Sequence, residues 1–223
     1  MQQEFLDRTK KSLGILKNIV RGSSLKKLRL LDVGCGDGNF LERVVSLDKR
    51  IETWGVDISS LAIKKVKEKG FRAFTVDVCK EKLPFVDLFF DLVYMGEVIE
   101  HLFDPDFAIK EVRRTLKKEG VLILTTPNLA AWHNRLLLFL GYQPIFSEVS
   151  TKRIFGRPGQ KPVGHLRLFT LRALKDFLTY YQFKIMKTEG ACFFAFSSPL
   201  KEVDKIFSNF LSLSSTLVVV AKK

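Results

Sequence analysis

An α/β fold is predicted, a mostly parallel sheet with helices on both faces, and three features of the sequence predict it. Apolar runs of strand length alternate with segments of helical period, joined by short connections. The first run, Leu30-Leu31-Asp32-Val33, passes into Gly34-Cys35-Gly36-Asp37-Gly38, with glycine at every second position where a strand turns into a helix. Two later runs also close on acids, in Val56-Asp57-Ile58-Ser59 and Val76-Asp77-Val78.

Residues 2–22 carry Phe5, Leu6, Leu13, Leu16, Ile19 and Val20 at helical spacing and read as an N-terminal amphipathic helix. Leu28–Val33 is the first buried strand, Phe40–Leu47 its return helix and Ile51–Val56 the second strand. Ser59 or Ser60 caps a helix that runs to Lys69, and Gly70 stops it. Phe71–Val76 and Leu92–Met95 are the third and fourth strands. Asp104 as N-cap and Pro105 in the first turn begin a helix that runs through Val112 and Leu116 until Gly120, before a fifth strand at Val121–Thr126. From Pro127 to about His165 the rhythm breaks. A short apolar helix around Trp132–Leu140 leads into a segment rich in Gly, Pro and cations. No acid occurs between Val149 and Lys175, while Lys152, Arg153, Arg157, Lys161, Arg167 and Arg172 accumulate. A helix from Thr170 to Tyr181 restores order, and strands near Phe183–Glu189 and Ser215–Ala221 fit a closing pair at the sheet edge. One domain over 1–223 is the expectation. It comprises the N-terminal helix, a cofactor-binding core at 28–128, an insertion over the acceptor at about 128–169 and a closing unit at 170–223.

The net charge of +13 reads as a solvated basic surface or as a surface for an anionic partner, RNA or a negatively charged membrane. Cys35, Cys79 and Cys192 lie far apart, match no metal spacing and fit a reducing cytoplasm better than a disulfide framework. Glu4 and Asp7 interrupt the N-terminal apolar residues, unlike a secretory signal. No apolar run approaches the roughly 20 residues of a transmembrane helix. A cytoplasmic protein without a membrane span is the expectation.

Asp57 ends the second strand where an acceptor for a ribose diol belongs. A nicotinamide-dinucleotide turn would share such an acid, but here the third glycine follows the second by two residues rather than three. The fourth strand also continues into Asp91-Leu92-Val93-Tyr94-Met95-Gly96-Glu97-Val98-Ile99-Glu100-His101-Leu102. This ordered set, from about Leu28 to Asn128, resembles the class I S-adenosylmethionine-dependent methyltransferases. The resemblance implies a Rossmann-like, seven-stranded sheet with an antiparallel last strand, and S-adenosyl-L-methionine as cofactor. It also implies a cofactor site made of Asp32, Gly34, Cys35, Gly36, Gly38, Asp57, Ile58, Asp77, Val78, Met95 and Gly96. Within it, Asp77 is similar to the family's contact to the adenine amino group.

On a helical turn Glu97, Glu100 and His101 would share one face, where two carboxylates and an imidazole could act as a base or hold a divalent ion. His165, in Gly164-His165-Leu166-Arg167, is a fourth candidate. This set resembles those of the ubiquinone-biosynthesis O-methyltransferases and the small-RNA 3′-terminal 2′-O-methyltransferases, in which such residues are associated with a metal. The resemblance implies Glu97, Glu100, His101 and His165 as catalytic residues and as ligands of Mg²⁺ or another divalent cation. Without a metal, His101 or His165 would serve as the base. The predicted reaction is O-methylation of a small-molecule or lipid-like acceptor by in-line transfer, and the alternative is a metal-dependent RNA 2′-O-methyltransferase. Asn128, in Thr126-Pro127-Asn128, reads equally as a substrate contact or a turn residue. The Trp132–Leu140 helix reads as packed on the core, as a lid or as a peripheral membrane contact, and Trp132 and Phe146 as base-stacking residues in the RNA alternative.

Overall fold

The computed structural model describes residues 7–157, 162–193 and 198–223. Helix α1 (Asp7–Gly22) precedes β1 (Leu28–Val33), α2 (Asn39–Leu47), β2 (Ile51–Asp57), α3 (Ser60–Glu68) and β3 (Arg72–Thr75). Then come β4 (Phe90–Gly96), a 3-10 turn (Ile99–His101), α4 (Pro105–Thr115), β5 (Leu116–Pro127) and α5 (Trp132–Phe139). The chain closes with α6 (Leu171–Tyr180), β6 (Lys184–Ala191), α7 (Leu200–Phe207) and β7 (Thr216–Lys222). Residues 2–6 of the predicted N-terminal helix, and Lys161 of the basic run, lie outside the described residues.

The strands form one seven-stranded sheet in the order β3-β2-β1-β4-β5-β7-β6. Pairs β1–β2, β1–β4, β2–β3 and β4–β5 are parallel, while β7 runs antiparallel to β5 and β6. Because successive side chains on a strand point to opposite faces, each strand feeds two cores. Leu31, Val33, Val93, Met95, Leu122 and Leu124 pack with Ile109 and Val112 of α4 and Leu174 and Leu178 of α6. Leu28, Leu30, Leu92 and Ile123 pack with Leu16 of α1, Leu41 and Val44 of α2, and Ile63 and Val66 of α3. The mostly parallel Rossmann-like sheet, its helices on both faces and its antiparallel last strand are as expected.

Three caps expected from sequence or of the same kind are made. Asp104 accepts from the Phe107 amide at 2.8 Å, Ser59 from Ala62 at 3.2 Å, and Thr170 from Ala173 at 3.2 Å. The end of α4 differs from expectation. Leu116 continues the helical spacing of Ala108 and Val112, yet it is extended and begins β5. The amides of Leu88 and Phe89 take the carbonyls of Arg114 and Thr115, so the last turn is capped by the loop before β4. A bulge follows, with Glu119 at φ +66° and a register shift between Phe90 and Leu92. Helix α7 was not expected. Removing the cap by Asp104→Ala is expected to cost about 1 kcal/mol, read from urea unfolding curves; an unchanged midpoint would show that the cap adds nothing.

Candidate active site

Strand order reverses between β1 and β4: β2 and β3 extend the sheet to one side, and β5, β7 and β6 to the other. A crevice therefore opens at the carboxyl ends of β1 and β4, where α/β sheets bind ligands. The glycine turn fills its floor. The Gly34 and Cys35 amides donate to the Val56 carbonyl at 2.8 and 3.1 Å, which ties the turn to β2. Gly34 has φ +73°, and a Cβ there would lie 2.3 Å from Cγ2 of Val98, so the turn after β4 packs directly on its backbone. Gly36 has φ +52° and open space where its Cβ would be. That bare backbone is a cradle a ligand can approach closely. Gly38, the N-cap of α2, completes the turn.

Asp57 accepts from the Gly36 amide at 2.9 Å and the Ser59 amide at 2.8 Å. Each oxygen keeps a second lone pair, as a vicinal diol requires. Asp32 is buried beneath the turn, and burial together with the Asp57 charge holds its carboxyl well above the usual carboxylate range. Cys35 is also buried, its thiol pushed up to about 12 by burial first and then by Asp32 and Asp57. Ile58 is exposed beside the crevice. Met95 is fully buried in the core, between Val33 of β1 and Leu124 of β5 in the sheet. Gly96 leaves room for the Tyr94 hydroxyl, which would lie 2.3 Å from a Cβ there. Val78 packs on the core. Asp77 turns into its own loop, accepting from the Cys79 amide at 3.0 Å and pairing with Lys80 at 3.3 Å. This set fits a cofactor with a ribose diol.

The turn after β4 is not the helix face that the spacing suggests. Glu97 has φ +56°, outside any helix, and only Ile99–His101 form a 3-10 turn. Oε1 of Glu97 accepts from the Thr125 hydroxyl at 3.0 Å and lies 3.6 Å from Nε of Arg8 on α1. Glu100 is fully buried; Oε2 accepts from Thr126 at 2.9 Å, and Oε1 has no hydrogen-bond partner among the described residues. One ligand atom each from Glu100, His101 and His165 lie within 4.8 Å of one another, and Glu97 stands outside that group. Nδ1 of His101 lies 3.0 Å from the Gly164 carbonyl. A carbonyl only accepts, so this contact makes Nδ1 the protonated nitrogen and leaves the Nε2 lone pair for chemistry.

His165 reaches the turn through backbone pairing. The Leu166 and Arg167 amides donate to the Glu100 carbonyl at 2.8 and 3.1 Å. The Glu148 carboxylate accepts from the Val163 and Gly164 amides at 2.7 and 2.8 Å. The imidazoles of His101 and His165 lie 4.6 Å apart, with Phe146 edge-on to His165. A cavity of about 410 Å³ opens here, lined by Glu148, Ser150, Thr151, Lys152 and His165 among others. Sequence reasoning missed Glu148, whose only signal was its position as the last acid before the basic stretch, and Arg8, which carried none.

Asn128 is the turn residue of its two readings: its amide donates to the Ser214 carbonyl at 2.8 Å and its Oδ1 accepts from Ala130. Trp132 stacks on Phe207 and donates to Asp204, so its ring is already engaged. Helix α5 does not bury its apolar residues as one of its readings required. His133 and Asn134 are its buried residues, whereas Leu136, Leu138 and Phe139 are exposed, Phe139 by 87%. No helix among the described residues is long and apolar enough to cross a membrane.

Burial pushes the Glu97 carboxyl up, opposed by Arg8. It pushes Glu100 up to about 8, reinforced by the charge of Glu97. His165 is held down at about 4, by burial first and then by His101. A buried carboxyl with an oxygen unpartnered among the described residues, beside two imidazoles, is a donor set of the kind that could hold a divalent cation.

A family model described as a methyltransferase domain matches residues 3–188. The chain is 31% identical over 110 residues to the ubiquinone biosynthesis O-methyltransferase of Pelagibacter ubique, covering 47% of this chain and 44% of that protein. It is 31% identical over 101 residues to the malonyl-[acyl-carrier protein] O-methyltransferase of Legionella pneumophila, covering 44% and 36%. The matched region thus spans less than half the length of these two relatives. A crystal structure of a SAM-dependent methyltransferase from Archaeoglobus fulgidus superposes with TM-score 0.61 at 20% identity, over 96% of this chain and 94% of that one, a likeness of fold.

Gly34→Ala is expected to destabilise the chain by about 2–4 kcal/mol, adding a strained left-handed backbone to a clash with Val98. Adding Val98→Ala should restore only the steric part, as urea titrations of the two variants would read. The raised Glu100 carboxyl sets a pH dependence. Between about pH 4.5 and about 8 the folded chain holds a proton there that the unfolded chain has released, so stability falls as pH rises through that window. Glu100→Gln should flatten this part of the stability curve in metal-free buffer; an unchanged slope would assign it to other groups.

Proposed function

The chain belongs to the methyltransferase-domain family and is a class I S-adenosylmethionine-dependent methyltransferase, and on that premise we propose that it methylates an oxygen of a small-molecule or lipid-like acceptor. The observation that carries the proposal is the convergence of Glu100, His101 and His165 beside the crevice that opens over the glycine turn. S-adenosylmethionine supplies an electrophilic sulfonium methyl. The chain's part is to hold that cofactor and an acceptor hydroxyl in line and to receive the hydroxyl proton.

In this reading the turn at Asp32, Gly34, Cys35, Gly36 and Gly38 holds the cofactor by its backbone, with Asp57 accepting from the ribose hydroxyls. Ile58, Asp77, Val78, Met95 and Gly96 border the remainder. Nε2 of His101 receives the acceptor's proton, because Nδ1 is committed to Gly164. Alternatively Glu100, His101 and His165 hold a divalent cation that lowers the pKa of the acceptor hydroxyl. Glu97 joins them only by releasing Arg8. Two relatives whose names specify O-methyltransferases favour oxygen as the methylated atom. The exposed apolar face of α5, close in sequence to Arg135, Lys152, Arg153 and Arg157, favours a lipid-like acceptor met at a membrane surface. A single domain working in the cytoplasm on such an acceptor completes the proposal.

Asp57→Ala is expected to weaken S-adenosylmethionine binding by about 2–4 kcal/mol, through loss of charged hydrogen bonds, as read by calorimetry. His101→Ala should leave that binding intact and slow transfer by about 10²–10⁴-fold. Incubation of cell extract with the protein and methyl-labelled cofactor, with and without EDTA, tests the acceptor. Label in the organic phase is expected; label confined to RNA would overturn the proposal. Activity lost in EDTA and restored by Mg²⁺ would establish the cation, and indifference to EDTA would leave His101 as the base.

A further inference from the structure

A second cleft lies at the opposite end of the sheet, beside the amino ends of the parallel strands. Its volume is about 620 Å³, and it runs between the last turns of α4 and α6 and the end of β7. Lys110, Arg113, Arg114 and Lys223 line it together with Tyr180 and Tyr181, against one carboxylate, Asp87. Cations in the last turn of α4 complement the helix dipole, which accounts for their being there. It does not account for how they are partnered.

Arg114 is fully committed. Its nitrogens donate to both oxygens of Glu111, to Asp87, and to the carbonyls of Leu83 and Phe85. That one guanidinium is thus shared between Asp87 and Glu111, while Asp106 accepts from the Tyr181 hydroxyl. Lys110, Arg113 and Lys223 also line the cleft, three further cations against its one lining carboxylate, Asp87, which is bonded to Arg114. Lys223 donates to the Leu116 carbonyl at 2.7 Å, and Lys110 lies 5.6 Å from the centroid of the Tyr181 ring. Nε of Arg113 is buried and has no hydrogen-bond partner among the described residues. Burial first and then the charge of Arg113 lower the Lys223 ammonium below its usual range, with Asp87 opposing and Arg114 adding to the shift. A buried guanidinium N–H needs an acceptor, and crowded cations need a counter-charge. A multivalent oxyanion supplies both.

We propose that this cleft binds a phosphate-type oxyanion carried by a small molecule of about nucleotide size, with Arg113, Lys223 and Lys110 as its contacts. The volume suits such a ligand, and Tyr180, 78% exposed at the rim, offers an aromatic face to whatever carries the phosphate. The site stands apart from the methyl-transfer crevice and does not depend on which acceptor is methylated.

Titration calorimetry of the whole chain with pyrophosphate, and with a nucleoside triphosphate, tests the proposal. Binding is expected to both, weakening as salt is raised. Arg113→Gln should weaken it by about tenfold or more, the loss of one charged hydrogen bond. Lys110→Gln, at an exposed position, should weaken it without altering the melting temperature or S-adenosylmethionine affinity, and so serves if Arg113→Gln does not fold. No heat from either probe, or wild-type affinity in the Lys110 variant together with any folded Arg113 variant, would overturn the proposal. So would binding of a short single-stranded RNA through these residues with none of pyrophosphate.

Discussion

Two amide hydrogen bonds to one carbonyl hold the candidate acceptor site together. The main-chain oxygen of Glu100 receives Leu166 and Arg167, joining the turn after β4 to a segment more than sixty residues further along the chain. His165 faces His101 because of this pairing, and the Glu148 carboxylate fixes the two preceding amides so that the approach is not left to a free loop. The same carbonyl belongs to the residue whose carboxyl is buried with no partner for Oε1 among the described residues, so the backbone that assembles the site also buries an acid with a raised pKa.

That acid sits in a small electrostatic system that α1 closes. Arg8 opposes the raised Glu97, and the helix is fixed beside the end of β6, where Asp7 accepts from the Cys192 amide and Lys11 donates to the Gly190 carbonyl. Two carboxyls in a recessed turn with one guanidinium between α1 and β4 make a site tolerant of added positive charge. A sulfonium cofactor brings that charge, which suits the crevice to the chemistry of the family.

The two ends of the sheet thus differ in kind. Buried acids and glycine backbone gather at the carboxyl ends of β1, β2 and β4, and partly unpaired cations at the amino ends of β4 and β5. A net charge of +13 conceals this separation, because composition adds the two ends together. The exposed apolar end of α5 is a third distinct surface, close in sequence to the segment that carries His165.

By itself the sequence determined the sheet, its layers and the glycine turn after β1. Strand periodicity, caps such as Asp104 and the glycine turn act over a few residues, and local steric rules decide them. It erred where one residue served two patterns. Leu116 continues the helical spacing of α4 but is drawn into β5 by a loop that caps the helix, and Glu97 shares a helical spacing with Glu100 and His101 but lies at positive φ. Only the tertiary structure decided which of the four candidates at the acceptor site converge. It also showed that Asp77 turns into its own loop, that Asn128 and Trp132 are consumed in packing, and that Arg8 and Glu148 take part. Apart from the local turn at Asp77, these outcomes rest on contacts between residues far apart in the chain, and no local spacing encodes such a pairing.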